Sequence, residues 1–190
     1  MIGRRTIERR VRVFLGCEGE SEQGYGAFLQ RLADAKNSKV HVVTVNLQPA
    51  GDPLKLAQKA ALAFDREMKK GGSFAGQAVM FDTDRLVDLQ DGGQEVRAIL
   101  ARKGFISIWQ RPDHEGFLLR HFDGQEHRDP PRGASMAALT PLWPGYHKNM
   151  SASELQAKLG FEHVLRASGV EPDLRTLLEL IGLLPRVAPR

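Results

Sequence analysis

A single cysteine, Cys17, stands in a chain of 190 residues, which excludes an internal disulfide and any cysteine-rich zinc module, a primase-type zinc domain included. Aromatic residues make up 7% of the chain, with two tyrosines and two tryptophans. No stacking platform or base-reading motif stands out, so the sequence does not choose between RNA and DNA as a partner. The apolar runs are too short to span a bilayer. Arg4, Arg5, Arg9 and Arg10 are not followed by the apolar stretch and small-residue cleavage site of a secretory signal. These absences predict a soluble, cytoplasmic protein with no membrane partner. Internal repeats and low-complexity segments are also absent.

Charge is present in near balance. The formal net charge of +4 comes from 27 Lys and Arg against 23 Asp and Glu. Residues 1–12 hold five arginines and one glutamate, which leaves 22 of each sign in the rest of the chain. A nucleic-acid partner would therefore be met by a local patch or by the arginine-rich start, because phosphate neutralisation needs clustered Lys and Arg. The same start also reads as a solvated strand edge or frayed tail.

With 42% hydrophobic and 26% charged residues, the chain is long enough for one well-packed core. Val11 to Cys17 reads as a buried strand running into Glu18-Gly19-Glu20-Ser21. Tyr25, Phe28, Leu29 and Leu32 then fall at helical spacing, predicting a helix over about Glu22 to Ala35. The β-branched run from Lys39 to Leu47 predicts the second strand. Asp52 and Pro53 form an N-cap and first helical residue, and that helix turns Leu54, Ala57, Ala61, Phe64 and Met68 inward until Gly71-Gly72. Ala78 to Phe81 is a third strand ending in Asp82-Thr83-Asp84. Val96, Ile99 and Leu100 mark a helix, Phe105 to Trp109 a fourth strand, and Asp113 to Phe122 a short helix. Asp123 to Met150 is loop-like, with only Ala134 to Leu139 helical; Ser151 and Glu154 form a capping box, and Leu174, Leu177, Leu178 and Ile181 stripe a last helix. The alternation predicts an α/β fold, Rossmann-like, with a parallel sheet of about four strands flanked by helices. Residues 1–125 form this core, and residues 126–190 a loop-rich, helical C-terminal extension packed on the same domain. The leucine-rich end, Leu174 to Leu184, suits an interface as well as a core, so an oligomer stays open.

The chemistry lies at the strand ends. Parallel strands end at one edge of an open α/β sheet, where ligands bind, so Glu18, Asp82 and Asp84 are expected to meet there. Carboxylates gathered without a cation raise one another's pKa, and such a cluster suits a hard metal ion. In an extended backbone, period-two geometry puts Asp82 and Asp84 on the same side. The bland alternatives are a helix N-terminal charge for Glu18 and an Asx-capped turn for the aspartates. Asp-x-Asp also occurs in sugar-nucleotide transferases and haloacid dehalogenase-type phosphatases, and a phosphoacceptor receiver domain places acids after its first and third strands.

The ordered set Cys17-Glu18-Gly19-Glu20-Ser21, Phe81-Asp82-Thr83-Asp84, Arg111 to Phe122, and Pro144-Gly145-Tyr146-His147-Lys148 resembles the RloB-like family of toprim-fold proteins, from about Val11 to Lys148. The Asn-Pro-Cys-Phe-Glu string of that family, which opens a helix ending in Leu-His-Phe, is matched by Pro112, Glu115, His121 and Phe122. Arg111, Asp113 and His114 replace its Asn, Cys and Phe, and Asp113 and His114 could add ligands of their own. The resemblance implies a toprim-like fold, with Glu18 in acid/base or metal chemistry and Asp82 and Asp84 on Mg²⁺ or Mn²⁺. It also implies a nuclease of prokaryotic phage-defence loci, often encoded beside an ATPase partner.

On this reading the chain hydrolyses phosphodiesters in RNA or DNA, with Glu18, Asp82 and Asp84 as metal ligands. Glu115 is a further candidate ligand, and Lys148 or Arg111 steadies the developing negative charge. Topoisomerase chemistry is rejected, because it needs a nucleophilic tyrosine on a separate DNA-gripping domain and Tyr25 falls on a buried helix face. The rival from another class is a non-catalytic, receiver-like metal-binding signalling or scaffold module. Its receiver version requires a lysine after a late strand, where Trp109-Gln110-Arg111 offers none.

Overall fold

The computed structural model describes residues 10–49 and 51–186, so Arg4, Arg5 and Arg9 of the basic start lie outside them. The elements run β1 (Val11–Cys17), α1 (Glu20–Ala35), β2 (Val40–Asn46), α2 (Pro53–Gly71), β3 (Gly76–Asp82), a 3-10 turn (Leu86–Asp88), α3 (Gln94–Arg102), β4 (Ile106–Gln110) and α4 (His114–Leu119). Four further helices follow: α5 (Ser135–Leu139), α6 (Ala152–Lys158), α7 (Phe161–Ser168) and α8 (Pro172–Leu180). The sheet order is β2-β1-β3-β4 and every pairing is parallel. This is the α/β, Rossmann-like architecture that strand–helix alternation requires.

Both faces of the sheet are covered, which is why its inner strands are apolar almost without interruption. Val13, Leu15, Cys17, Ala78, Met80 and Ile108 pack with α1 and the C-terminal helices, whereas Phe14, Val79 and Phe81 pack with α2 and α3. The predicted stripe Tyr25, Phe28, Leu29 and Leu32 is buried. Gly26 lets α1 lie close to the sheet, since a Cβ there would come within 2.7 Å of Leu15 and Thr44.

Helix α2 begins as its capping signal indicates, with the Asp52 side chain accepting from Lys55 N at 2.9 Å, and stops at Gly72 with φ +83°. Its inward face is rotated from the expected one. Leu56, Ala57, Ala60 and Ala61 are buried, Leu54 and Phe64 pack at the margin, and Met68 is 38% exposed. Close approach to the sheet selects the alanines, and Phe64 is left to meet Phe14, Phe74 and Phe105 edge-on or tilted at 5.5–5.8 Å.

Residues 123–150 are largely turns, as expected, but they are not detached from the core. Trp143 and Met150 join the hydrophobic cluster that holds Val13, Leu15 and Met80. The Ser151/Glu154 capping box forms, Ser151 N donating to Glu154 Oε2 at 2.8 Å. Helix α7 has no counterpart in the sequence reading. Leu174, Leu177, Leu178, Ile181 and Leu183 are at most 3% exposed within the same cluster, so they serve the core rather than an interface. No helix among the described residues is long and apolar enough to cross a membrane.

Candidate functional site

The chain leaves β1 for β2 on one side and later enters β3 on the other, so the carboxyl ends of β1 and β3 flank a topological switch point, the usual ligand crevice of such sheets. Glu18 follows β1 and Asp82 ends β3. Glu18 Oε2 accepts from Asp82 N at 2.9 Å, so the glutamate reaches across the switch point and the two expected acids do converge.

Asp84 arrives by a different route from the expected one. The strand stops at Asp82, and Thr83 and Asp84 already belong to a turn. Thr83 N donates to Gln110 O (2.9 Å) and Pro112 O (3.0 Å), and Asp84 N donates to Pro112 O at 2.8 Å. The carbonyls after β4 thus fold the backbone over, and period-two geometry does not apply. Asp84 still lies near enough to act on both Glu18 and Asp82, and Arg132 Nε sits 3.7 Å from its Oδ2.

Two site residues, Glu22 and Gln110, escaped the sequence reading, and His114, expected as an added ligand, instead meets the Gln110 amide. Glu22 is 4% exposed, and its Oε2 accepts from Gly19 N at 2.8 Å, which folds the side chain back toward the end of β1. Gln110 is fully buried. The amide orientation is assigned from its partners: with His114 protonated on Nδ1, the oxygen accepts from it at 2.6 Å and the nitrogen donates to Asp82 Oδ1 (3.0 Å) and Glu22 Oε1 (3.1 Å). The signals were present: an acid three residues past a glycine N-cap, a polar residue closing an apolar strand, and a histidine opening an apolar helix.

Burial pushes the Glu18 carboxyl up to about 7; the hydrogen bond from Asp82 N opposes this, Glu22 and Asp84 add to it, and Arg85 lowers it. Asp82 is raised well above the usual carboxylate range, first by burial and then by Glu22, Glu18, Asp113 and Asp84. These are hard oxygen donors carrying more negative charge than their surroundings offset, which fits a divalent cation such as Mg²⁺. Among the described residues, no three His, Cys, Asp or Glu side chains form a ready cage for an ion. Mg²⁺ does not require one, since it keeps several waters and is commonly held by one or two carboxylates plus phosphate oxygens. The residues that would hold it are Asp82 and Asp84, with Glu18 beside them.

Glu115 and Lys148 form a neighbouring group. The Glu115 side chain is 5% exposed and 3.9 Å from Lys148 Nζ, itself 67% exposed. Tyr146 OH donates to Glu115 Oε1 at 3.0 Å. Burial first, and then Glu115, Glu22 and Asp113, raise the Tyr146 pKa; this tyrosine lies between the two groups of acids. Asp113 caps α4 by accepting from Gly116 N at 2.9 Å. Arg111 is drawn away, its Nη2 lying 3.3 Å from Glu171 Oε1. His121 is a packed residue: its Nε2 meets Tyr25 OH at 2.7 Å, and burial takes its pKa down to about 3. Tyr25 itself is fully buried.

Compared with family models, curated proteins and solved structures, the chain matches none.

Proposed function

We propose that this chain is a Mg²⁺- or Mn²⁺-dependent nuclease of the RloB-like, toprim kind, hydrolysing phosphodiesters of RNA or DNA as an anti-phage effector beside an ATPase partner. The observation that carries this reading is the Glu18–Asp82 contact across the switch point, within a group of half-buried acids backed by the buried Glu22. Asp82 and Asp84 hold the divalent ion, which when bound neutralises charge on the phosphate and lowers the pKa of water. Glu18 Oε2 is engaged by Asp82 N, so Oε1 is the atom that takes the proton of the attacking water. Lys148 and Arg132, each resting against an acid, supply positive charge for phosphate oxygens.

The test is a cleavage panel of tRNA, single-stranded and duplex nucleic acid with Mg²⁺ or Mn²⁺, run with and without an ATPase partner. Wild type is expected to cut at least one substrate, and Asp82→Asn none while keeping its fold. If wild type and variant are equally inert throughout, the non-catalytic metal-binding module replaces the nuclease. The receiver form of that module has no lysine at the end of β4, where Gln110 stands.

A further inference from the structure

We propose that Gln110, aligned by His114, is a positioning residue of the candidate cation site: its amide joins Asp82 to Glu22 and determines which Asp82 oxygen is left for a divalent ion. This rests on the reading that Asp82 binds such an ion. Asp82 and Glu22 repel each other, and Glu22 is almost fully buried. An amide nitrogen carries two hydrogens that diverge, so one side chain can donate to two carboxylates at once. Gln110 does this at 3.0 Å to Asp82 Oδ1 and 3.1 Å to Glu22 Oε1. A carboxylate in its place has nothing to donate, and an apolar side chain takes this donor from Asp82 Oδ1 and Glu22 Oε1 alike.

The amide is kept from turning over by what its oxygen meets. His114 Nδ1 lies 2.6 Å from that oxygen, and the ring is set edge-on to Tyr25 at 6.1 Å and tilted against Phe117 at 6.2 Å. His114 Nδ1 is also 3.4 Å from Glu22 Oε1. Asp113 caps the helix that His114 opens, so the ring sits on a secured first turn. Glu22 has both oxygens engaged, Oε2 by Gly19 N and Oε1 by the Gln110 amide. It therefore acts as an anchor rather than a ligand. Asp82 has Oδ1 engaged in the same way, and Oδ2 is the oxygen this amide leaves for the ion. Residues that orient a ligand in this manner typically change metal affinity 10- to 100-fold when replaced.

The experiment measures Mn²⁺ affinity by calorimetric titration of the full chain, together with thermal unfolding of the metal-free protein, for wild type, Asp82→Asn, Gln110→Leu, His114→Leu and His114→Asn. Gln110→Leu and His114→Leu are expected to lower Mn²⁺ affinity about 10-fold or more. His114→Asn, whose amide N–H can take the place of Nδ1–H, is expected to recover most of the loss. If the leucine variants melt earlier yet bind Mn²⁺ as tightly as wild type while Asp82→Asn has lost binding, the residues are merely structural and the inference is overturned. If Asp82→Asn itself binds as tightly as wild type, the reading of the site falls, and this inference with it. Should Gln110→Leu fail to fold, the His114 pair decides the matter alone.

Discussion

Glu18 concentrates the chemistry of the site in one carboxyl group. Its pKa is raised in the fold from 4.5 to about 7, so the folded state holds a proton that the unfolded chain has released between those values. Stability of the metal-free protein therefore falls as pH rises through this window, by an amount of order 3 kcal/mol once Glu18 is fully ionised. Glu18→Gln keeps an oxygen to accept from Asp82 N and removes the charge. In EDTA it is expected to be more stable than wild type at pH 8 and close to wild type at pH 4.5, as measured by urea unfolding at both values. Glu18 and Asp82 were legible in the sequence because each closes an apolar run, and strand ends of a parallel sheet share an edge. Glu22 and Gln110 were not, because capping and strand-end polarity have ordinary structural meanings until their partners are known; His114 was legible as an added ligand but not as the partner of Gln110.

Among the elements, α1 shows how packing overrides local preference. A Cβ on Gly24 would collide with the Met150 carbonyl oxygen, where the 141–150 turns return over the helix. Asn149 N donates to Ser21 Oγ at 3.1 Å in the same place. Alanine is the better helix former by about 1 kcal/mol, yet Gly24→Ala is expected to destabilise by about 2 kcal/mol or more, because a backbone carbonyl cannot move aside as a side chain can. Equilibrium denaturation with urea checks both sign and size. The start and end of α2 were readable from Asp52-Pro53 and Gly71-Gly72, since caps are local. Its rotation was not: Ala57 and Ala61 are buried as expected, but Leu56 and Ala60 join them while Met68 turns outward, a choice made by how near the sheet lies.

Across the whole molecule, two arrangements bear on function. The fully buried Arg120 ties α4 to the start of α8, its Nε 2.9 Å from Glu171 Oε1, and Nη1 donates to Arg111 O and Gly116 O. Glu171→Leu leaves Arg120 with the more exposed Asp129, 3.2 Å from Nη2, and is expected to cost about 3 kcal/mol, the low end for breaking a buried pair, read from denaturant unfolding. The second arrangement is polarity along the strands. Arg10 and Arg12 sit at the amino end of β1, against Asp34 and Glu67. Seven strand residues separate that end from the acids, roughly 20 Å. The cations near the rim are instead Arg85, Arg132 and Lys148. If the chain binds nucleic acid there, Arg132→Ala and Lys148→Ala should each weaken binding and reduce its salt slope by about 1. Arg10→Ala should change neither, as equilibrium binding over a range of salt would show.

The order of strands and helices through β4, the covered sheet, the caps of α2 and α6 and the meeting of Glu18 with Asp82 were all determined by the sequence alone. They follow from period, capping and strand direction, which act over a few residues. Only the tertiary structure decided that Asp84 reaches the site through a turn bound to Pro112 O, that Arg111 is diverted to Glu171, and that Gln110 stands between Asp82 and Glu22. Each of these depends on partners tens of residues away, brought into contact by the packing of β3, β4, α4 and α8, and no local pattern encodes that distance.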